Sequence, residues 1–421
     1  MYRVTSLTAL EILDSRGRPT VAATCELATG ASAAVSVPSG ASTGHAEACE
    51  LRDGDPRRYR GLGCRRAVAN IIEVIAPKLI NLELKDQAVL DRMLIELDGT
   101  HNKSKLGSNA ILAVSLAFAR ATAIECCVPL YRHFANMLGR PVSRMPQLTV
   151  NLFSGGKHAG GQVAIQDVLV VPVAAKTIDE GLAIVFDVYQ AAAELTLSKY
   201  GARALKADEG GLAPPFPDVE SMLTDAVAAI TLAGYEAGAQ VALAIDVAAS
   251  HFYRDQRYHL GVDGLTSAEM IAQIDSWCDA YPIISVEDGL AEDDWESWPH
   301  LTERLTGRAI ALGDDLLCTN PVRISQAIAS RSANALLLKV NQIGTLTEAL
   351  ASLRLAASAN WHVTISARSG ETEDNWLADL AVGWGANQIK VGSITQSERL
   401  SKYNRLLQIE AEWSGASSVL R

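Results

Sequence analysis

The chain has 421 residues, of which 48% are hydrophobic and 20% charged, the composition of an ordinary globular protein. Its net charge is −11 and no basic block is present, which argues against nucleic acid or an anionic membrane as the main partner but not against an anionic small molecule. No apolar run approaches the ~20 residues of a membrane span, and the first residues lack the layout of a signal peptide. The seven cysteines have no metal-type spacing, so we expect a cytoplasmic protein with reduced thiols.

The first part of the chain predicts a small α+β domain over residues 1–136. Three alternating segments, 2–12, 20–28 and 31–37, predict an antiparallel sheet, and residues 61–135 are helical in pattern. Between them lies Pro38-Ser-Gly-Ala-Ser-Thr-Gly44, which is rich in small residues and has no apolar face. This segment is either a simple connector or a mobile lid over a ligand.

Residues 137–421 predict a second domain with a (β/α)8-like barrel. After a strand at 147–153, a Gly-rich loop with His158 and an apolar run at 168–173, short apolar segments alternate with segments of helical length. Many of the apolar segments end in a charge, and from Glu287 onward these charges recur roughly 25 residues apart, the length of one βα unit. The charged residues are Asp246, Glu287, Asp314, Lys339, Arg368 and Lys390.

Because the carboxyl ends of barrel strands share one mouth, we expect these charges to converge there. Asp246, Glu287 and Asp314 offer hard oxygen ligands with no Cys or His among them, which favours Mg²⁺ over a soft-ligand metal. Surface carboxylates on separate loops are the alternative. Lys339 and Lys390, buried beside a cation, should have a lowered pKa, which suits a base that takes a proton from carbon.

Two further parts complete a site for proton removal beside a carboxylate. Arg368 and Ser369 offer a planar fork and a hydroxyl that suit a phosphate or a carboxylate. Asp208 and Glu209, at what should be another strand end, can supply a protonated acid for a leaving hydroxyl. His158 alone is weak evidence, because a lone histidine is more often structural than catalytic.

Several motifs make the chain similar to the enolase family over nearly its whole length. They include Pro38–Gly44, Gly155-Gly-Lys-His158, Asp208-Glu-Gly-Gly211, Glu287-Asp-Gly-Leu290, Gly313-Asp-Asp-Leu316, Lys339-Val-Asn-Gln-Ile-Gly344 and Arg368-Ser-Gly-Glu-Thr-Glu-Asp374. The resemblance implies two Mg²⁺ sites, one held by Asp246, Glu287 and Asp314 and one met by Ser42 on the lid. It also implies that Lys339 is the base, that Glu209 is the acid and that Lys390 binds the substrate carboxylate. Arg368 and Ser369 would then form the phosphate clamp, and His158 would belong to the same site from the Gly-rich loop.

Two site positions depart from the family pattern. Enolases resembling this chain have a histidine where Ala367 stands and a glutamate where Asp167 stands. The first change opens space beside the anion clamp, and the second shortens a carboxylate by about one C–C bond, enough to lose a contact of roughly 2.6–3.2 Å. Since the metal ligands, base and clamp survive, the pattern favours a changed substrate.

The family resemblance also bears on the oligomeric state. The family tends to pair a glutamate and an arginine across its dimer interface, where this chain has Ala22 and Gln408. An exposed pair contributes only about 0–1 kcal/mol, so a homo-oligomer, a dimer or higher, is still expected.

Three functions follow from these residues. The first is a Mg²⁺-dependent lyase for an altered 2-phosphoglycerate-like substrate, such as carboxyphosphonoenolpyruvate synthase of phosphonate and phosphinate natural-product pathways. The second is an ordinary glycolytic enolase that tolerates both changes. The third is a non-catalytic binding protein with the same fold.

Overall fold

The computed structural model describes residues 1–41, 44–201, 205–261 and 264–414. The chain begins with an antiparallel sheet in the order β3-β2-β1-β4, made of β1 (Tyr2–Leu13), β2 (Pro19–Leu27), β3 (Ser32–Ser36) and β4 (Glu83–Leu84). The first three strands confirm the prediction. The fourth was missed because two residues are too few to show an alternating pattern.

Five helices follow the hairpins of this sheet, as predicted for residues 61–135. They are α1 (Arg65–Ala69), α2 (Ala76–Leu79), α3 (Gln87–Asp98), α4 (Ser108–Glu125) and α5 (Leu130–Leu138), with a π-helical turn over Asn70–Ile75 joining α1 to α2. Helix α4 is almost wholly buried and packs on β2 and β3. Among the described helices, none alone is long and apolar enough to cross a membrane. Helices α4 and α5 together reach that length and composition, but the chain bends by 106° between them.

The second part of the chain forms a closed eight-stranded barrel. Its strands are β5 (Gln147–Ser154), β6 (Asp167–Val171), β7 (Ala242–Asp246), β10 (Ile283–Glu287), β11 (Ile310–Gly313), β12 (Ala335–Leu338), β13 (His362–Ser366) and β14 (Gln388–Gly392), which neighbour one another in that order, with β14 closing on β5. A separate hairpin, β8 (Tyr253–Arg254) and β9 (Arg257–Tyr258), stands outside the barrel.

One barrel strand runs against the others. β6 is antiparallel to both β5 and β7, whereas all other pairings in the barrel are parallel. The expected series of βα units therefore holds only from β7 onward. The reversal has a consequence for the site, because the first residue of β6, Asp167, pairs with the last residues of its neighbours, Ser154 and Asp246.

Helices surround the barrel, and most of them begin and end near the segments that the sequence predicts as helical, 177–200, 267–281, 293–305, 320–330, 345–359, 374–384 and 398–413. They are α6 (Ile178–Tyr200), α7 (Val219–Leu232), α8 (Ser267–Ala280), α9 (Trp298–Leu305), α10 (Pro321–Ser330), α11 (Val340–Ile343), α12 (Leu346–Ser358), α13 (Trp376–Gly383) and α14 (Ser397–Trp413). Helix α9 begins five residues later than the predicted 293, with Pro299 in its first turn, where proline is tolerated. Helix α7 was not predicted.

The division between the two predicted domains stays a prediction. The predicted boundary at 136 and 137 falls within α5, near its end. That helix packs closely on α13 of the barrel, and Asp379 of α13 accepts a hydrogen bond from the backbone of Tyr131 at 3.1 Å. The last helix of the first region is thus held by the second.

Candidate active site

The predicted charges meet at one mouth of the barrel. Asp246 and Glu287 are the last residues of β7 and β10 and lie side by side in the strand register. Asp314 and Lys339 follow directly after β11 and β12, and Lys390 lies in β14. All five side chains are buried or almost buried. The barrel therefore encloses three carboxylates and two ammonium groups in one place.

Lys390 joins two of these carboxylates. Its Nζ donates to Asp246 Oδ2 at 2.9 Å and to both oxygens of Glu287, at 2.9 and 2.7 Å. Gln166 Nε2 donates to the same oxygen of Asp246 at 3.1 Å. The two strand-end carboxylates are thus held in place by hydrogen bonds from β14 and from the residue before β6.

Lys339 pairs with the third carboxylate. Its ammonium donates to Asp314 Oδ2, and Gln342 Nε2 donates to Asp314 Oδ1 at 2.8 Å. Burial alone would lower the pKa of Lys339, but Asp314 raises it above its ordinary value; the pKa of Lys390 is raised in the same way by Asp246 and Glu287. The expected lowering of both pKa values is therefore wrong for this arrangement, because the carboxylates contact the amines directly.

The mouth has the chemistry of a divalent-cation site. Burial, and then the nearby Asp246, raise the pKa of Glu287 well above its ordinary value, so the ionised form of this carboxylate needs a positive partner. The three buried carboxylates outnumber the two lysines, and their oxygens are the ligands that a hard cation such as Mg²⁺ prefers. The three predicted ligands fit that ion by type, although the ammonium groups now contact their oxygens.

Two other groups of side chains are already close enough to share an ion. Among the described residues, the ligand atoms of His158, Asp167 and Glu209 lie within 4.8 Å of one another, as do those of Asp288, Asp314 and Asp315. Asp288 accepts from the backbone N–H groups of Asp314 and Asp315, at 3.0 and 2.6 Å. This carboxylate therefore fixes the turn that carries Asp314.

Arg368 and Ser369 lie two and three residues after β13, at the same mouth. The side chain of Arg368 is buried and contacts Glu47, while Ser369 Oγ accepts from Arg16 Nη1 at 3.1 Å. Burial alone would lower the pKa of Arg368, but Glu47 raises it. Ser42, the predicted partner on the lid, lies outside the described residues.

Glu209 reaches the mouth from a loop, so its predicted place at a strand end is wrong. The loop is fixed to the barrel by backbone bonds from Ser393 N to Glu209 O at 2.8 Å and from Leu212 N to Leu152 O at 2.8 Å. The Glu209 side chain is buried and accepts from Asn151 Nδ2 at 3.0 Å, whereas Asp208 is exposed.

The protonation state of Glu209 also differs from the prediction. Burial would raise its pKa, but His158 and nearby cations lower it below the ordinary value, so the carboxyl group is ionised here rather than protonated. An anionic ligand beside it would add negative charge and favour the protonated form.

Asp167 holds His158 in place. Asp167 Oδ2 lies 2.9 Å from His158 Nδ1, and Oδ1 accepts from Ser154 Oγ at 2.6 Å. The other ring nitrogen, Nε2, lies 3.9 Å from Glu209 Oε1. Burial alone would lower the pKa of His158, but the two carboxylates raise it to about 9, and burial raises the pKa of Asp167. His158 is thus part of the mouth and not an isolated core histidine.

Ala367 lies between β13 and Arg368, with its side chain buried. Its backbone N–H donates to Lys390 O at 2.8 Å, so the residue is fixed beside the strand that carries Lys390. A methyl group therefore lies where the family pattern has an imidazole.

Several contact residues were not predicted as site residues. Among them, Arg16, Glu47, Gln166 and Asn341 each contact a predicted site residue, the last by accepting from Arg368 Nη1 at 3.0 Å. Arg16 belongs to the segment Asp14-Ser-Arg-Gly17 and Asn341 to Lys339-Val-Asn-Gln-Ile-Gly344, two segments that share in the family resemblance, which was a usable signal. Glu47 and Gln166 carry none, because a single polar residue in a loop has no periodic pattern.

A cleft of 680 Å³ opens beside the mouth. It lies between the Gly-rich loop, with Lys157 and Gln162, and the segment that carries β8 and β9, with His251 and His259. None of the described site residues lines it.

Both parts of the chain match known proteins. Residues 142–419 match the family model described as the enolase C-terminal TIM barrel domain, and residues 4–134 match that of the enolase N-terminal domain. An enolase from Mycoplasma pneumoniae is 45% identical over 436 aligned positions, which cover 100% of this chain and 95% of that protein.

Proposed function

The chain belongs to the enolase family, and from that premise we propose that it converts 2-phosphoglycerate to phosphoenolpyruvate. It is a carbon–oxygen lyase that uses Mg²⁺ and acts on a phosphorylated small molecule. The observation that supports the proposal best is the pairing of Lys339 with Asp314 beside Asp246, Glu287 and Lys390. A base, an anion-binding lysine and three oxygen ligands are thus close to one another.

Asp246, Glu287 and Asp314 would hold Mg²⁺. When bound, the ion supplies positive charge that stabilises the enolate formed when a carbon acid loses its proton. Gln166 and Gln342 each donate to one of these carboxylates and so fix the direction of its oxygens.

Lys339 would take the proton from the carbon next to the substrate carboxylate. Its ammonium is now stabilised by Asp314. Without that contact, the burial of the amine would lower its pKa and favour the neutral form that acts as a base. Lys390, which already contacts two oxygens of Glu287, would bind the substrate carboxylate.

Glu209 would complete the elimination. The bond from the β-carbon to its hydroxyl breaks as the electron pair of the former C–H bond forms the double bond, and Glu209 gives its proton to the departing hydroxyl, which leaves as water. His158 Nε2, 3.9 Å from Glu209 Oε1, faces this acid. Arg368 and Ser369, with Ser42 on the lid, would hold the phosphate.

The specialised substrate favoured from the sequence has less support. The family models and the Mycoplasma pneumoniae relative name enolase and no phosphonate chemistry, which supports the ordinary reaction better than carboxyphosphonoenolpyruvate synthase. One observation keeps a larger phosphorus group as a second candidate. Ala367 adjoins Arg368, and its buried methyl group fills less space than an imidazole.

The experiment compares both substrates in the presence of Mg²⁺. We expect the purified protein to form phosphoenolpyruvate from 2-phosphoglycerate, and Lys339→Ala to lower kcat by at least about 10³-fold, because the base is lost. Turnover confined to an analogue with a substituted phosphorus group would contradict the first candidate and support the second. No turnover of either, with Mg²⁺ binding intact, would contradict both and favour the binding-protein alternative.

Two broader properties belong to the same proposal. None of the seven cysteines forms a disulfide, which supports a cytoplasmic location. Exposed Leu10 and Leu13 on β1 support a homo-oligomer, while Ala22 and Gln408 offer no ion pair to it. Nucleic acid and membranes are not among its proposed partners.

A further inference from the structure

Glu47 is a buried carboxylate without a role in the reaction described above. It follows the lid segment, residues 38–44, and its side chain is 8% exposed. Glu47 Oε2 accepts from Arg368 Nη1 at 3.0 Å, and Oε1 accepts from Nη2 at 3.1 Å. Both carboxylate oxygens therefore contact the guanidinium, which gives the pair a fixed mutual orientation.

The same carboxylate reaches two other parts of the mouth. Glu47 Oε1 also accepts from the backbone N–H of Gly44 at 3.2 Å and from Gln342 Nε2 at 3.4 Å. Gln342 in turn donates to Asp314. Glu47 thus touches the end of the lid segment, the guanidinium of Arg368 and the amide that orients a predicted metal ligand.

The start of the lid segment is fixed to the same stretch of chain. Ser39 and Gly370 exchange two backbone hydrogen bonds, at 2.8 and 3.0 Å. Ser39 is therefore bonded to Gly370, and the backbone of Gly44 is linked to Arg368 through Glu47.

We propose that Glu47 is a positioning residue that sets the orientation of Arg368 for a phosphate group and links it to the backbone of Gly44. The proposal rests on the proposed role of Arg368 as phosphate clamp. Asn341 supports the same orientation by accepting from Nη1 at 3.0 Å. A planar guanidinium binds phosphate well only in a defined direction, so this support determines affinity for the anion.

The experiment measures binding of inorganic phosphate to the full-length protein by calorimetry with Mg²⁺ present, so that no turnover is needed. We expect Glu47→Gln to raise the phosphate Kd at least tenfold. Glu47→Asp, which keeps the charge but has a shorter reach, should also raise it. Glu348→Gln is the matched control: Glu348 pairs with Lys103 at 2.8 Å between the two parts of the chain, and the phosphate Kd should stay within twofold.

A second arm separates positioning from folding. In an Arg368→Lys background, Glu47→Gln should change the phosphate Kd by less than twofold, because the oriented fork is already absent. An unchanged or lower Kd in Glu47→Gln alone would overturn the proposal, and so would a full effect in the Arg368→Lys background. Failure of the wild-type protein to dehydrate 2-phosphoglycerate would contradict the proposed function and leave this binding result standing.

Discussion

At the scale of single residues, Asp167 is defined by what its two oxygens touch. One oxygen faces His158 and the other accepts from Ser154, so the carboxylate supports the histidine instead of reaching toward a ligand. The sequence predicted Asp167 as a site residue. It could not give this arrangement, because the contact depends on β6 running antiparallel to its neighbours.

Asp167→Asn tests this support. The pKa of His158 is raised from 6.5 to about 9, so the folded state favours the imidazolium; the stabilising charge pair is fully present below pH 6.5 and is lost as the pH rises through about 9. Loss of the Asp167 charge should lower that pKa and shift the alkaline limb of the kcat/KM profile to lower pH. Ser154→Ala, which removes only the neutral partner, should leave the position of that limb unchanged. An unshifted limb in Asp167→Asn would contradict the role given to this pair.

The site residues differ in how well the sequence predicts them. Glu287, Asp314 and Lys339 follow apolar runs at intervals of roughly 25 residues, so the barrel pattern alone brings them together. Glu209 comes from a loop whose path is set by backbone bonds to β5 and to Ser393, and no local pattern encodes such contacts. The protonation states of Lys339, Lys390 and Glu209 were the hardest to predict, because they depend on pairings between side chains far apart in the sequence.

At the scale of elements, the end of the lid segment lies close against the turn after β11. A Cβ atom added to Gly44 would lie 2.5 Å from Cys318 Sγ and 3.2 Å from Asp315 Cα. A glycine is needed here because the two backbones approach closely. The sequence predicted either a connector or a lid; its motion stays a prediction, and its attachment at both ends is the structural finding.

Gly44→Ala should displace the segment. We expect kcat/KM to fall by about tenfold or more, since the contact at Cys318 and Asp315 must shift and errors near ~1 Å at a site can cost ~100-fold. Gly261→Ala is the matched control, because a Cβ there meets nothing within 4 Å and its φ is not positive. The measurement is kcat/KM of both variants by steady-state kinetics. If Gly44→Ala and Gly261→Ala have equal values, the close approach at Gly44 has no effect on the site.

At the scale of the whole molecule, the barrel mouth brings together carboxylates from several strands that one cation could bridge. The predicted ligands come from three neighbouring strands, so an ion bound to them would link β7, β10 and β11 in the folded state only. Ligands that bind only the folded state raise its stability by mass action. The sequence predicts this linkage, because the order of the strands follows from the order of the βα units.

Removal of Mg²⁺ should therefore lower the melting temperature. At a Mg²⁺ concentration a hundred times its Kd, the bound ion contributes about 2.7 kcal/mol to the free energy of unfolding. We expect chelation to abolish this increment in the wild-type protein, and Asp246→Asn to melt at the same temperature with and without Mg²⁺. Asp55→Asn, a change at an exposed carboxylate outside the barrel, should keep the wild-type response. A variant at Asp246 that still responds fully would contradict the ligand assignment.

The most direct test of the central claim follows the proton on the carbon next to the substrate carboxylate. With 2-phosphoglycerate and Mg²⁺ in D₂O, we expect nuclear magnetic resonance to show wild-type protein replacing this proton with deuterium or forming phosphoenolpyruvate. Lys339→Ala should do neither, because no other described residue is assigned to remove the proton. Exchange that persists at the wild-type rate in Lys339→Ala would contradict the account.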